Sequence, residues 1–242
     1  MPFRLGPKAR EQLLRLSTVW NQGEHVLITG GTNSGKTTLA RQLDEIRIQR
    51  GSSVVVFVAK MKPDNTIREY YPESDGWVRW TTWKRKPKIT ETKILLWPRV
   101  EGLAHSDAIR VLKKEFAFAL EEISRTGLWT VHIDEGLFMS APEFLGFHKE
   151  LGMMYALMRS SKGTMITLAQ RPSHLPLSIY ANIAHAFVGR ASEIGDLRRL
   201  GNMDSIENSR ALQKMISANG IHDFIWIPIA PGWPPERINL AR

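Results

Sequence analysis

Residues Gly30 to Thr38 read Gly-Gly-Thr-Asn-Ser-Gly-Lys-Thr-Thr, and they constrain this chain more than any other stretch. They fit the pattern G-x-x-x-x-G-K-[ST], with Gly30, Gly35, Lys36 and Thr37 in the fixed places. Four fixed positions recur by luck in roughly one chain in a hundred of this length, so the flanks decide. Before the motif runs His25-Val26-Leu27-Ile28-Thr29, a short apolar strand. After it runs Thr38-Leu39-Ala40-Arg41-Gln42-Leu43, a helix start without Pro or Gly. A strand, a loop of small residues and a helix N-terminus together cradle phosphate, because the loop N–H groups converge and the helix dipole favours an anion. Gly30, Gly31, Thr32, Asn33, Ser34, Gly35, Lys36, Thr37 and Thr38 form that cradle. Lys36 reaches the β- and γ-phosphates, and the Thr37 hydroxyl ligates Mg²⁺. The implied ligands are ATP and Mg²⁺.

The rest of the chain suits a three-layer α/β fold. Its 242 residues, 43% of them hydrophobic, are enough for one domain with modest decoration. We expect that domain over 1–242, with an N-terminal helical extension at 1–22 and a Pro-rich arm at 231–242. Lys8 to Trp20 has the apolar spacing of a short amphipathic helix. Ser53 to Ala59 is continuous and β-branched, as in a strand of a parallel sheet buried on both faces. The loop from Lys60 to Asn65 follows at its C-terminal end, the edge where α/β proteins place ligands. Helices are expected over 106–125 and 144–160, and further strands over 163–169, 184–188 and 223–228. Pro228 points to an edge position for the last of these.

Composition narrows the partners. A net charge of +9 favours a polyanion, nucleic acid first and an acidic membrane surface second. The absence of cysteine excludes disulfides and Cys-based zinc sites. No apolar run reaches the length of a membrane span, and Met1-Pro2-Phe3-Arg4 does not begin a signal peptide. The expectation is a cytoplasmic protein without a transmembrane segment.

Residues 70–99 hold four of the eight tryptophans, Trp77, Trp80, Trp83 and Trp97, interleaved with bases. Trp77 to Trp83 and Ile89 to Trp97 are expected to pair as an inserted β-hairpin with Lys84, Arg85, Lys86 and Lys88 at its tip. Such a tip suits phosphate neutralisation with base stacking. The plainer alternative is a solvated tip whose tryptophans pack on the sheet.

Two further strand ends carry chemistry. Leu128 to Ile133 is apolar and ends in Asp134-Glu135. Paired with the phosphate loop, Asp134 belongs to the Mg²⁺ shell and Glu135 polarises the attacking water. His132, inside that strand, reads as a core histidine. Gly163 to Ala169 ends in Gln170-Arg171-Pro172-Ser173, where Gln170 is placed to sense the γ-phosphate or its water.

These three landmarks, in this order, resemble the FtsK/HerA superfamily of ring-forming, DNA-pumping ATPases over roughly residues 24–200. The Gln-Arg-Pro-Ser run singles it out, since Asp-Glu is common to RecA-like proteins. The compact length is similar to that of the genome-packaging ATPases of viruses with internal membranes. The resemblance implies a RecA-like P-loop NTPase fold of the ASCE type. It also implies double-stranded DNA as partner, a homo-oligomeric ring, hexameric by expectation, and a capsid-vertex or membrane-associated viral protein as recruiter. Lys36 and Thr37 match its Walker A pair, Asp134 and Glu135 its Walker B pair, and Gln170 its polar sensor. An arginine supplied by the neighbouring subunit completes such sites; Arg190 is the first candidate and Arg171 the second. The segment from Trp77 to Trp97 matches no motif of the family. The alternatives are a Zot-like phage assembly ATPase and a P-loop kinase of small molecules. Adjacent carboxylates argue against the kinase, since water activation is a hydrolase feature.

Overall fold

The computed structural model describes residues 5–61, 65–83, 91–201, 209–229 and 233–240. A nine-stranded sheet runs through these residues in the order β3-β4-β2-β5-β6-β1-β7-β8-β9. The strands are β1 (His25–Thr29), β2 (Ser53–Phe57), β3 (Val78–Trp80), β4 (Lys93–Leu96), β5 (Trp129–Ile133), β6 (Thr164–Ala169), β7 (Ile183–Val188), β8 (Asp223–Pro228) and β9 (Glu236–Asn239). From β3 across to β7 every pairing is parallel; β8 and β9 add to the β7 edge antiparallel.

The strand residues alternate between two covered faces, which is why the central strands read as unbroken apolar runs. Val26 and Ile28 pack with α1 (Pro7–Val19) and α2 (Lys36–Gln49). Leu27, Val55, Phe57, Val131 and Ile133 pack on the opposite side, where α4 (His105–Thr126) and α6 (His148–Ser160) contribute Phe116, Leu120 and Tyr155. Short helices α3 (Asn65–Tyr70), α5 (Gly136–Ser140) and α7 (Leu177–Tyr180) fill connections, and α8 (Ile194–Gly201) and α9 (Ser209–Ser217) precede β8. This is the RecA-like α/β arrangement. The long helix expected over 144–160 begins at His148, and α5 is a separate short helix ahead of it.

His25 illustrates how closely the core is specified. Its Nε2 donates to the Tyr155 carbonyl at 2.7 Å, and its Nδ1 accepts from the Met165 N–H at 3.1 Å. Burial holds its pKa down at about 4; the bond to the Tyr155 carbonyl opposes this and the Arg159 charge adds to it.

Two expectations are corrected. The segment at 70–99 is not a hairpin, because β3 and β4 are parallel neighbours. After β3 the chain turns toward α4: the Thr82 hydroxyl and Trp83 N–H both donate to Glu115 at 2.9 Å, and the Trp83 indole donates to Glu122 at 3.0 Å. Parallel neighbours cannot be joined by the tight turn of a hairpin. Trp77, Trp80, Trp83 and Trp97 are all at most 3% exposed, so they pack into the protein. The run Lys84, Arg85, Lys86 and Lys88 lies outside the described residues. The second correction concerns β8, which is internal: β9 covers it, and Pro228 sits at its last position opposite His185. The Ile229 N–H still donates to the Ala184 carbonyl at 2.8 Å, and Pro228 lies beyond the last β8–β9 pair, Trp226 with Glu236, so its missing N–H costs the β9 ladder nothing.

Candidate functional site

The parallel strands bring their C-terminal ends to one rim, and the sequence landmarks meet there. β6 lies between β1 and β5, so the end carrying Gln170 separates the phosphate loop from Asp134-Glu135. β7 ends on the other side of β1, and the Gly189 N–H donates to the Thr29 carbonyl at 2.7 Å. The site thus straddles the point where the chain order reverses across the sheet, the usual crevice of open α/β sheets.

Residues Gly30 to Gly35 form the loop that leads from β1 into α2. Gly35 caps α2 in the left-handed region at φ 94°, and an added Cβ would sit 3.0 Å from Leu240. Asn33, at φ 59°, takes a left-handed conformation that its short polar side chain tolerates. The first turn of α2 carries neither an acidic residue nor a capping side chain, leaving its N–H groups to an anion. The Lys36 ammonium donates to the Gly30 and Gly31 carbonyls, each at 2.8 Å, and arches over the loop. Burial lowers its pKa, and the nearby Glu135 and Asp134 carboxylates offset part of that.

Glu135 follows β5 and leads directly into α5. Gly136 is required here by close approach: a Cβ would lie 2.8 Å from Leu175 and 2.9 Å from Thr167. Burial raises the Glu135 pKa; the Leu137 N–H opposes this, Asp134 adds to it, and Lys36 and Lys60 oppose it. Gln170 Nε2 lies 3.4 Å from Glu135 Oε2. A carboxylate, an ammonium and an amide from three strand ends therefore converge. The half-buried Thr37 hydroxyl and the Asp134 carboxylate are hard oxygen donors that fit Mg²⁺, which keeps waters and phosphate oxygens for its other ligands. No group of three His, Asp or Glu residues able to hold a metal on its own exists among the described residues.

The two arginines differ. Arg171 pairs with Glu193 and, at 3.3 Å, with Asp196 of α8. Asp196 also accepts the Ser173 N–H at 2.9 Å, so this pair ties the loop after Gln170 to α8. Arg190 is exposed, and no ion pair engages it among the described residues.

Sequence reading missed part of the site. A cleft of about 260 Å³ opens over Thr37 and Thr38, walled by Thr66, Tyr70, His222 and Leu240. The His222 ring lies 3.3 Å from the Ser34 carbonyl. These walls come from three distant stretches with no motif: α3, His222 and Leu240. Lys60 was legible only as part of a loop at a strand's C-terminal end.

No protein-family model matches the chain, and no curated protein sequence does. Solved structures do. The genome packaging NTPase B204 of Sulfolobus turreted icosahedral virus 2, in complex with AMPPCP, has TM-score 0.61 at 13% identity, covering 91% of this chain and 99% of that one. VirB4 of Thermoanaerobacter pseudethanolicus has TM-score 0.64 at 11% identity, covering 89% and 88%. The pCW3 conjugation coupling protein TcpA, with ATPγS, has TM-score 0.51 at 15% identity, covering 92% of this chain and 62% of its own. The chain shares the fold of these proteins.

Proposed function

We propose that this chain hydrolyses ATP with Mg²⁺ and uses the energy to move double-stranded DNA through a homo-oligomeric ring, packaging a viral genome into a capsid. The observation that carries the chemistry is the convergence of Lys36, Glu135 and Gln170, with Gln170 Nε2 at 3.4 Å from Glu135 Oε2. Phosphoryl transfer asks mainly for positioning and charge stabilisation. The loop N–H groups and Lys36 hold the β- and γ-phosphates. Glu135 orders and polarises a water in line with the γ-phosphorus, and Gln170 orients Glu135 or that water. Thr37 and Asp134 would hold Mg²⁺, which would supply neutralisation of the phosphate charge. Arg190 is the residue we assign to the neighbouring subunit's site, since Arg171 is engaged within its own chain. A hexamer, recruitment by a capsid-vertex or membrane-associated viral protein, and DNA contact by Lys84, Arg85, Lys86 and Lys88 complete the proposal. The host cytoplasm or the virion is the compartment it implies; among the described residues no helix is long and apolar enough to cross a membrane.

The likeness to VirB4 and to the coupling protein TcpA favours one second reading, an ATPase of a transfer or assembly machine that is not a packaging motor. The chemical core is tested by nucleotide binding and phosphate release in wild type, Lys36→Ala and Glu135→Gln. Lys36→Ala is expected to lose binding or turnover, whereas Glu135→Gln retains ATP unhydrolysed. Near-normal turnover by Glu135→Gln would remove Glu135 from the mechanism.

A further inference from the structure

We infer that the adjacent tyrosines Tyr70 and Tyr71 are positioning residues that couple the phosphate loop to the outer β3–β4 edge of the sheet; this rests on the nucleotide reading above. The two side chains leave the end of α3 for different targets. The Tyr70 hydroxyl shares a hydrogen bond of 2.9 Å with Thr38 Oγ1, in the first turn of α2 and next to the Mg²⁺ ligand Thr37. The Tyr70 carbonyl accepts from Arg41 Nε at 2.7 Å, one turn further along α2. The Tyr71 hydroxyl donates to Asp44 Oδ2 at 3.1 Å, on the same helix. Asp44 Oδ2 lies 2.9 Å from His132 Nδ1, and the Tyr71 hydroxyl lies 3.2 Å from that nitrogen. His132 stands on β5, two residues before Asp134. One dipeptide thus grips α2 at successive turns and joins it to the strand that carries the catalytic carboxylates.

The connection continues outward. The Arg41 guanidinium lies over the Tyr71 and Trp77 rings, at 5.5 and 5.2 Å. Tyr71 and Trp77 meet edge to face at 4.7 Å. Arg41 also pairs with Glu45 and, at 3.4 Å, with Asp75. Lys93, the first residue of β4, reaches Glu45 at 3.2 Å and the Asp75 carbonyl at 2.9 Å. An unbroken set of contacts therefore runs from Thr38 to Trp77, the residue before β3, and to Lys93 of β4.

Packing alone does not call for this arrangement. Asp44 and His132 are fully buried and Tyr71 is 2% exposed. Buried polar groups are expensive unless paired, and apolar residues of similar volume would fill the same space. What the polar network adds is a fixed geometry between α2, β5 and the 65–77 segment. A nucleotide that orders the first turn of α2 biases Thr38, and Tyr70 passes that bias outward.

The test is hydrogen exchange of the full chain, with and without saturating Mg²⁺-AMPPCP, followed in peptides covering 71–80 and 91–97. In wild type the nucleotide is expected to slow exchange in both by at least about fivefold, the lower end of ordinary coupling between sites. Tyr70→Phe removes only the hydroxyl. With AMPPCP raised until each variant is saturated, whatever its affinity, Tyr70→Phe is expected to lose the protection at 71–80 and 91–97. Thr38→Val breaks the same bond from the other side. The double variant is expected to lose no more than either single one, since one shared bond is at stake. Full protection of 91–97 in Tyr70→Phe, or additive losses in the double variant, would overturn the inference. So would a wild type that binds AMPPCP, protects its phosphate loop and leaves 71–97 unchanged. A wild type that binds no nucleotide overturns the nucleotide reading first, and this inference with it.

Discussion

Trp83→Ala separates the two uses a tryptophan can have in the segment from Trp77 to Trp97. In the structure Trp83 is 1% exposed. Its ring meets Trp80 at 5.3 Å and Trp129 at 5.4 Å, and its indole N–H donates to Glu122 at 3.0 Å. Truncating a buried tryptophan to alanine removes about 3–5 kcal/mol through lost transfer energy and the cavity left behind. The indole hydrogen bond accounts for about 1 kcal/mol of such a loss, and Glu122, half-buried, can regain water. We expect a loss near 4 kcal/mol. With a urea slope of roughly 2.5 kcal/mol/M, the midpoint falls by about 1.5 M. Urea unfolding followed by circular dichroism measures this without relying on the fluorescence of the removed ring. DNA affinity, measured where both proteins are fully folded, is expected to stay the same. A loss under about 1 kcal/mol together with weakened DNA binding would refute the packing argument and return Trp83 to a stacking role.

Other outcomes follow from the same structure. His25, held near pKa 4 when folded against 6.5 as its ordinary value, makes stability fall with acid. Between those values only the unfolded chain binds the proton, so about 2 kcal/mol is lost from pH 7 to pH 5, and urea titrations of His25→Gln should show a flatter pH response. Arg190→Ala is expected to lose turnover and regain part of it in mixed rings with a subunit that supplies Arg190; intact rings with no rescue at any ratio would argue against a role in trans. Gly136→Ala forces a Cβ against Leu175 and Thr167, so turnover should drop with little change in nucleotide affinity; unaltered turnover would show that α5 shifts freely. Neutralising Lys84, Arg85, Lys86 and Lys88 together should weaken DNA binding and flatten its salt dependence, and an unchanged slope would remove them from the interface.

The central fold was legible because its signals are local. Gly30 to Thr38 dictates its own loop, and runs such as Ser53 to Ala59 can only be strands covered on both faces. Asp134, Glu135 and Gln170 stand out in the sequence because each follows such a strand, and a parallel sheet gathers those ends on one rim. The outer edge was not legible. The parallel pairing of β3 with β4, and the contacts of Trp83 with Glu115 and Glu122 on α4, are long-range, and no local pattern announces them. β9 was missed because Glu236-Arg237-Ile238-Asn239 is short and follows a Pro-rich stretch; only an available edge on β8 makes it a strand. His222 and Leu240 reached the cleft by the same long-range route.

The measurement that tests the account most directly is the steady-state ATPase rate against added linear double-stranded DNA, with Glu135→Gln as the blank. The account predicts a rate that rises several-fold with DNA and disappears in Glu135→Gln. A Glu135-dependent rate indifferent to DNA at every concentration would contradict the DNA-motor claim, leave the nucleotide site standing, and favour an ATPase of an assembly or transfer machine.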